Sequence, residues 1–166
     1  MDNKVLLVTG GSRGLGRNTA LSIARDGGDV VITYRNQAEE AQAAVAEIQA
    51  LGRRAVALQL DTGNIATFGT FTEHLRTALQ TTWQRTDLDH LVNNAGHGDY
   101  AAFATTSETQ FDHLVNVHFK GVFFLTQALL PLIADGGRIV NFSTGLTRLS
   151  LPGYAAYAAA KGAVEV

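Results

Sequence analysis

KVLLVTGGSRGLG, residues 4–16, sets an apolar run directly against a cluster of small residues. Val5 to Val8 has the length and branching of a buried strand. Gly10, Gly14 and Gly16 follow at once, and the next segment, GLGRNTALSIARDG (residues 14–27), carries apolar residues at helical spacing. A strand, a glycine turn and a helix start, in that order, form the context in which backbone N–H groups at a helix N-terminus receive a phosphate. The spacing is G-x-x-x-G-x-G, one residue wider at the start than the common dinucleotide fingerprint. Either a pyrophosphate cradle or an ordinary tight turn satisfies it.

The same alternation continues outward. DVVITYR (29–35), AVALQLD (55–61), HLVNNAG (90–96) and GRIVNFS (137–143) read as further strands, each covered on both faces. QAEEAQAAVAEIQALG (37–52) reads as a helix ending at Gly52, a plausible C-cap, and further helices are expected over 68–83 and 108–133. In the last of these Phe111, Leu114, Val115, His118 and Val122 fall roughly on one face. Alternating strands and helices imply parallel strands joined by right-handed crossovers, a doubly wound α/β sheet of Rossmann type in three layers, α/β/α. No linker, repeat or low-complexity tract interrupts residues 1–166, so a single nucleotide-binding domain is expected. Ligands of such sheets bind at the carboxyl ends of the strands.

Composition narrows the partners. The chain has 166 residues, enough for one core that buries roughly 70% of the unfolded surface. Charged residues make up only 17% and the formal net charge is −2, so nothing points to nucleic acid or an anionic membrane. No cysteine is present, which excludes disulfides and thiolate metal sites and is compatible with the cytoplasm. The longest apolar stretch, GVFFLTQALLPLIADGG (121–137), is broken by Thr126, Gln127 and Pro131 and is shorter than the ~20 residues of a membrane span. A soluble protein is expected. The histidines show no ligand spacing; His113 and His118, five apart, should point away from each other on a helix.

Three strand ends carry candidate ligand contacts. Where dinucleotide folds place an acid for the ribose 2′-hydroxyl, this chain has Tyr34 and Arg35, with Arg13 inside the glycine turn. Two guanidinium groups suit a 2′-phosphate, which favours NADP(H) over NAD(H), unless both arginines are simply solvated. Asp61 could accept from an adenine amino group or cap a helix. Asn93 to Gly96 could pass close under a cofactor or form a turn that needs glycine.

YAAYAAAKGAVEV, residues 154–166, puts Tyr157 and Lys161 on one face of a helix, one turn apart. A lone tyrosine ionises near pH 10 and is a poor acid–base catalyst at neutrality; an adjacent ammonium favours the phenolate. Such a tyrosine can protonate a carbonyl oxygen as hydride arrives. Tyr154 lacks a lysine four residues on, where Ala158 stands.

TGGSRGLG, NNAG, the asparagine of LVNVHFKG, the hydroxyl pair of NFST and YAAAK together resemble the short-chain dehydrogenase/reductase family over the whole chain. The resemblance implies Tyr157 as acid–base residue, Lys161 binding the nicotinamide ribose and assisting that tyrosine, and Asn116 holding a water in a proton relay. It implies cofactor contacts from Gly10, Ser12, Arg13, Gly14, Leu15, Gly16, Arg35, Asp61, Asn93, Ala95 and Gly96, with Tyr157 and Lys161. The family's substrate-orienting serine falls at Thr144, with Ser143 as the alternative; a threonine keeps the hydroxyl and adds a methyl that stiffens the side chain.

The implied activity is NADP(H)-dependent interconversion of a carbonyl and a secondary alcohol, with a 3-oxoacyl thioester as one candidate substrate. The competing reading is an inactive nucleotide-binding or interaction module. Helices around 119–132 and 157–166 resemble those that pair subunits, so a homodimer or homotetramer is expected. Family members continue beyond the tyrosine helix with further strands and a substrate-covering loop. The expectation is therefore that these residues are the front portion of a longer protein, with apolar surface on the last strand present.

Overall fold

A computed structural model describes Met1 and residues 3–166. Five parallel strands, β1 (Val5–Val8), β2 (Asp29–Tyr34), β3 (Ala55–Gln59), β4 (Leu88–Asn93) and β5 (Ile133–Asn141), lie in the order β3-β2-β1-β4-β5. Among the described residues six α-helices accompany them: α1 (Gly14–Arg25), α2 (Ala38–Ala50), α3 (Phe68–Trp83), α4 (Glu108–Val115), α5 (Gly121–Leu129) and α6 (Ala155–Glu165). The expected doubly wound sheet is present.

Strand alternation sends successive side chains to opposite faces, and the apolar runs therefore build two cores at once. Val5, Leu7, Val31 and Leu91 meet Leu75, Leu79 and Trp83 of α3 and Leu125 and Leu129 of α5. Leu6, Val8, Val30, Ile32 and Val92 meet Ala20 and Ile23 of α1 and Ala41, Val45 and Ile48 of α2. The register is unshifted from Val5 opposite Asp29 to Val8 opposite Ile32. This double cover explains why β1 and β2 read as continuous apolar runs.

Two expectations need correction. The helix expected over 108–133 is two helices joined by a π-helical turn, Asn116–Lys120, and it ends at Leu129, with Ile133 already in β5. The extra residue in that turn rotates the buried stripe: Leu114, Val117, His118 and Leu125 are buried, whereas Phe111 is exposed. Nor is β5 covered on both faces. It is an edge strand, Ile139 and Val140 are 40% and 48% exposed, and its register against β4 jumps between Leu88 opposite Ile133 and His90 opposite Arg138. Gly136, with φ of 78°, sits inside the bulge that absorbs the jump.

The amino ends of the strands carry two buried carboxylates. Asp29 accepts from Arg53 Nε, Arg54 Nε and the Trp83 indole, each at 2.8–2.9 Å. Asp89 accepts from Lys4, Arg85 and the Val5 amide. These clusters lie at the end of the sheet opposite the glycine turn, so they serve stability and leave the other end free.

Candidate active site

The strand order reverses between β1 and β4, and there the carboxyl ends of the strands open into a crevice. The chain leaves β1 at Thr9 and turns through Gly10, whose φ is 66°. At Gly16 a Cβ would collide with the Gly10 carbonyl and the Asn94 side chain, so only glycine lets α1 begin this close to the turn. The N-cap of α1 is Arg13 in extended conformation, without a side-chain cap and without an acid in the first turn. Its first N–H groups therefore remain available to an anion. Gly10, Ser12, Arg13, Gly14, Leu15 and Gly16 all line a cavity of about 520 Å³.

NNAG is fastened to this turn. The buried Thr9 hydroxyl accepts from the Asn94 and Ala95 amides at 3.0 and 2.9 Å and donates to the Val92 carbonyl at 3.3 Å. The Asn94 side chain donates to the Thr9 carbonyl at 2.8 Å. Ala95 and Gly96 thereby enter the cavity wall. Asn93 does not. As the last residue of β4 it is buried facing α5 and β5, and its amide donates to Thr126 Oγ1 and Asn141 Oδ1 at 3.1 and 2.8 Å. Alternation along the strand gives the cavity position to Asn94, and neither Asn94 nor Thr9 was singled out in the sequence.

Arg13 and Arg35 line the cavity together with Tyr34, Asn36 and Gln37, and Asp61 and Thr62 border it nearby. Asp61 Oδ1 accepts from the Gly63 amide at 2.9 Å, which fixes the turn after β3. The cavity thus has a cationic wall and a row of free helix N–H groups, donors that fit phosphate groups, with the accepting carboxylate of Asp61 beside them.

Farther along the crevice α6 supplies Tyr157 and Lys161, and both line the cavity. Lys161 is 5% exposed, its Nζ donates to the Phe142 carbonyl at 2.6 Å, and burial lowers its pKa. The Tyr157 ring meets the His118 ring edge-on, centroids 5.1 Å apart. His118 is 1% exposed, and burial and then the charge of Lys161 lower its pKa to about 4. Its Nε2 lies 2.7 Å from the His97 carbonyl and 3.4 Å from the His97 amide nitrogen; the shorter contact, to an atom that only accepts, favours the proton on Nε2. The His97 ring contacts both His118 and His113, at centroid distances of 5.4 and 4.5 Å. The two histidines expected to point apart converge on a third because the π turn inserts a residue between them.

The remaining site expectations are redistributed. Asn116 opens the π turn and stays out of the cavity wall, which Val117 and His118 form instead; its carbonyl accepts from the Gly121 amide. Thr144 also stays out. Its hydroxyl caps the short turn Gly145–Thr147 by accepting from the Leu146 amide, while Ser143 lines the cavity and donates to Glu165 at 2.6 Å. Among the described residues no group of three or more His, Cys, Asp or Glu is arranged to hold a metal. None of the described helices is long and apolar enough to cross a membrane.

A family model described as short chain dehydrogenase matches residues 4–166. Hydroxynaphthalene reductase arp2 of Aspergillus fumigatus is 34% identical over 166 residues, 99% of this chain and 58% of that protein. The landomycin C-6 ketoreductase LanV, solved with NADP and rabelomycin, superposes with a TM-score of 0.95 at 36% identity, covering 99% of this chain and 67% of LanV. A short chain dehydrogenase from Burkholderia cenocepacia in complex with NADP gives a TM-score of 0.88 at 40% identity, over 98% of this chain and 64% of that one. The chain thus spans about three fifths of the length of the curated relatives it matches.

Proposed function

The chain belongs to the short-chain dehydrogenase family, and on that premise we propose that it provides the cofactor half and the acid–base pair of an NADP(H)-dependent carbonyl reductase. The single observation that carries this reading is one cavity lined at once by the glycine turn, Arg13, Arg35, Tyr157 and Lys161. NADPH, when bound, supplies hydride to the substrate carbon. The residues present fit it. The α1 N-terminus and the glycine turn hold the pyrophosphate, and Arg13 and Arg35 hold the 2′-phosphate by charge-assisted hydrogen bonds. The NADP complexes of LanV and of the Burkholderia cenocepacia protein support the same choice.

Tyr157 gives its hydroxyl proton to the substrate oxygen, and Lys161 beside it stabilises the phenolate left behind. The Ser143–Thr144 pair orients that oxygen, Ser143 being the member in the cavity wall. For the substrate, the hydroxynaphthalene reductase and the C-6 ketoreductase support a ketone on a fused ring more than the 3-oxoacyl thioester. Exposed Phe123 and Phe124 on α5, with Phe119 just before it and Leu130 just after, support the expected homo-oligomer.

The test is NADPH binding by calorimetry followed by NADPH oxidation with a panel of naphthol-derived ketones and acetoacetyl thioesters. Tyr157→Phe should abolish oxidation while leaving NADPH affinity within about threefold, since it removes only the transferable proton. Undiminished turnover in that variant would sink the assignment. NADPH binding with no oxidation of any substrate by the unaltered chain would instead favour the inactive module.

A further inference from the structure

Tyr157, Lys161 and Glu165 follow one another along α6 at four-residue steps, so one face of the helix aims all three at the segment that leaves β5. The proposed reaction uses the first two. Glu165, an exposed carboxylate that could rest in solvent, instead accepts from the Ser143 hydroxyl at 2.6 Å and from the Thr147 hydroxyl at 2.9 Å. Those two bonds, Ser143 first, lower its pKa from the ordinary value. Thr147 Oγ1 is also 2.9 Å from the Thr144 carbonyl, so one carboxylate gathers the turn from Ser143 to Thr147 against α6. The donor count then decides what Ser143 offers to a ligand. A serine hydroxyl has one proton and two acceptor lone pairs, whereas an ionised carboxylate only accepts. The 2.6 Å bond therefore commits the Ser143 proton to Glu165 and leaves only lone pairs for the cavity that Ser143 lines with Tyr157 and Lys161. In that state Ser143 cannot donate to a carbonyl oxygen, but it can accept from a hydroxyl.

We propose that Glu165 is a positioning residue that sets substrate specificity: by holding the Ser143 proton it makes Ser143 an acceptor and selects ketones that carry a hydroxyl beside the carbonyl. The inference rests on the reductase reading given above. There the carbonyl oxygen receives its proton from Tyr157, and Ser143 orients it at one remove, by accepting from the neighbouring hydroxyl. A ketone without that donor either leaves the Ser143 lone pairs unmatched or pulls the serine away from Glu165. Each alternative forfeits a hydrogen bond, and a site built around a substrate hydroxyl discriminates against the analogue that lacks it.

The experiment compares 2-hydroxy-1-tetralone with its methyl ether, 2-methoxy-1-tetralone, which keeps the oxygen and lacks the donor. Their Kd values on the NADP-loaded chain are read by ligand-observed NMR, without turnover. The hydroxyketone should bind at least about fivefold tighter, the scale of one hydrogen bond. In Glu165→Ala, a change at an exposed helix position, Ser143 regains its proton for either ketone and the ratio should fall below about twofold. Glu165→Gln returns an oxygen that accepts from Ser143 and should restore the preference, which a merely structural role would not require. No preference in the unaltered chain, an unchanged ratio in Glu165→Ala, or equal loss in both variants overturns the proposal. Carbon-13 NMR of the Glu165 carboxyl should show its pKa rising towards the ordinary value in Ser143→Ala. An unmoved pKa overturns the proposal even in a chain that reduces ketones. Selective binding of the hydroxyketone with reduction of neither compound upholds the role of Glu165 and overturns the reductase reading alone.

Discussion

The Lys161 ammonium donates to the Phe142 carbonyl at 2.6 Å, which ties the helix bearing Tyr157 to the residue just past the end of β5. The end of a strand thereby sets the height of Tyr157 and Lys161 over the crevice. The bond also stabilises a charge that burial alone disfavours. Lys161→Met should therefore lower ketone reduction at least a hundredfold, the usual scale for losing acid–base assistance, with near-UV circular dichroism unchanged. Steady-state NADPH oxidation checks it.

On the proposed reading, cofactor choice rests on the guanidinium groups of Arg13 and Arg35. In Arg35→Asp the 2′-phosphate loses a charge-assisted hydrogen bond of about 2 kcal/mol and meets a like charge. The ratio of kcat/KM for NADPH over NADH should fall at least about thirtyfold by that figure. An unchanged ratio would mean that Arg35 is only a solvated charge.

The glycine turn predicts a steric result. Gly16→Ala drives a methyl into the Gly10 carbonyl and the Asn94 side chain, both part of the fastening between β1 and NNAG. We expect about 1–3 kcal/mol of destabilisation in urea melts and at least tenfold weaker NADPH binding by calorimetry. Wild-type binding in that variant would show that the cradle is not where the pyrophosphate sits.

At the opposite end of the sheet, Asp29→Asn removes a charge held by Arg53, Arg54 and Trp83 while keeping its shape. Breaking one partner of a buried pair costs about 3–5 kcal/mol, and the partly exposed arginines place this case near the lower bound. Urea unfolding should show the loss with NADPH affinity of the folded protein unchanged, because the cluster is remote from the cavity.

Acid should loosen the active-site end of the fold first. His118 has a folded pKa near 4, below the 6.5 of an unfolded histidine, so the unfolded chain binds more protons between those values and stability falls as pH drops through that window. From pH 6.5 to pH 5 the loss is about 2 kcal/mol at the scale of 1.36 kcal/mol per unit. His97, its pKa also lowered by burial, acts in the same direction. The groups facing His118 are Lys161 and Tyr157 from α6 and, through His97, His113 from α4. Asp89 works in a separate, more acidic window: held down to about 2, it withdraws support only as pH falls from its unfolded 3.8. Urea melts near pH 7 and pH 5 should show the histidine slope, and His118→Asn should flatten it.

Much of this was legible in one dimension because it is periodic or local. Alternating apolar runs state that β1, β2 and β4 are buried on both faces, since every second side chain must find its own core. TGGSRGLG states its turn because only residues without a Cβ permit it, and Tyr157 and Lys161 share a face because α6 has a fixed pitch. What sequence could not decide was which of two neighbouring residues enters the cavity. Asn94 rather than Asn93, Ser143 rather than Thr144 and His118 rather than Asn116 are choices made by strand alternation at a particular end point and by one extra residue in a π turn. Each depends on backbone phase at that residue, and phase is set by what the rest of the chain packs against it. The sequence by itself determined the sheet, the glycine turn and the shared face of Tyr157 and Lys161; only the tertiary structure brought His97, His113 and His118 together beside Tyr157, because contacts across 21 residues are made by folding and leave no local pattern.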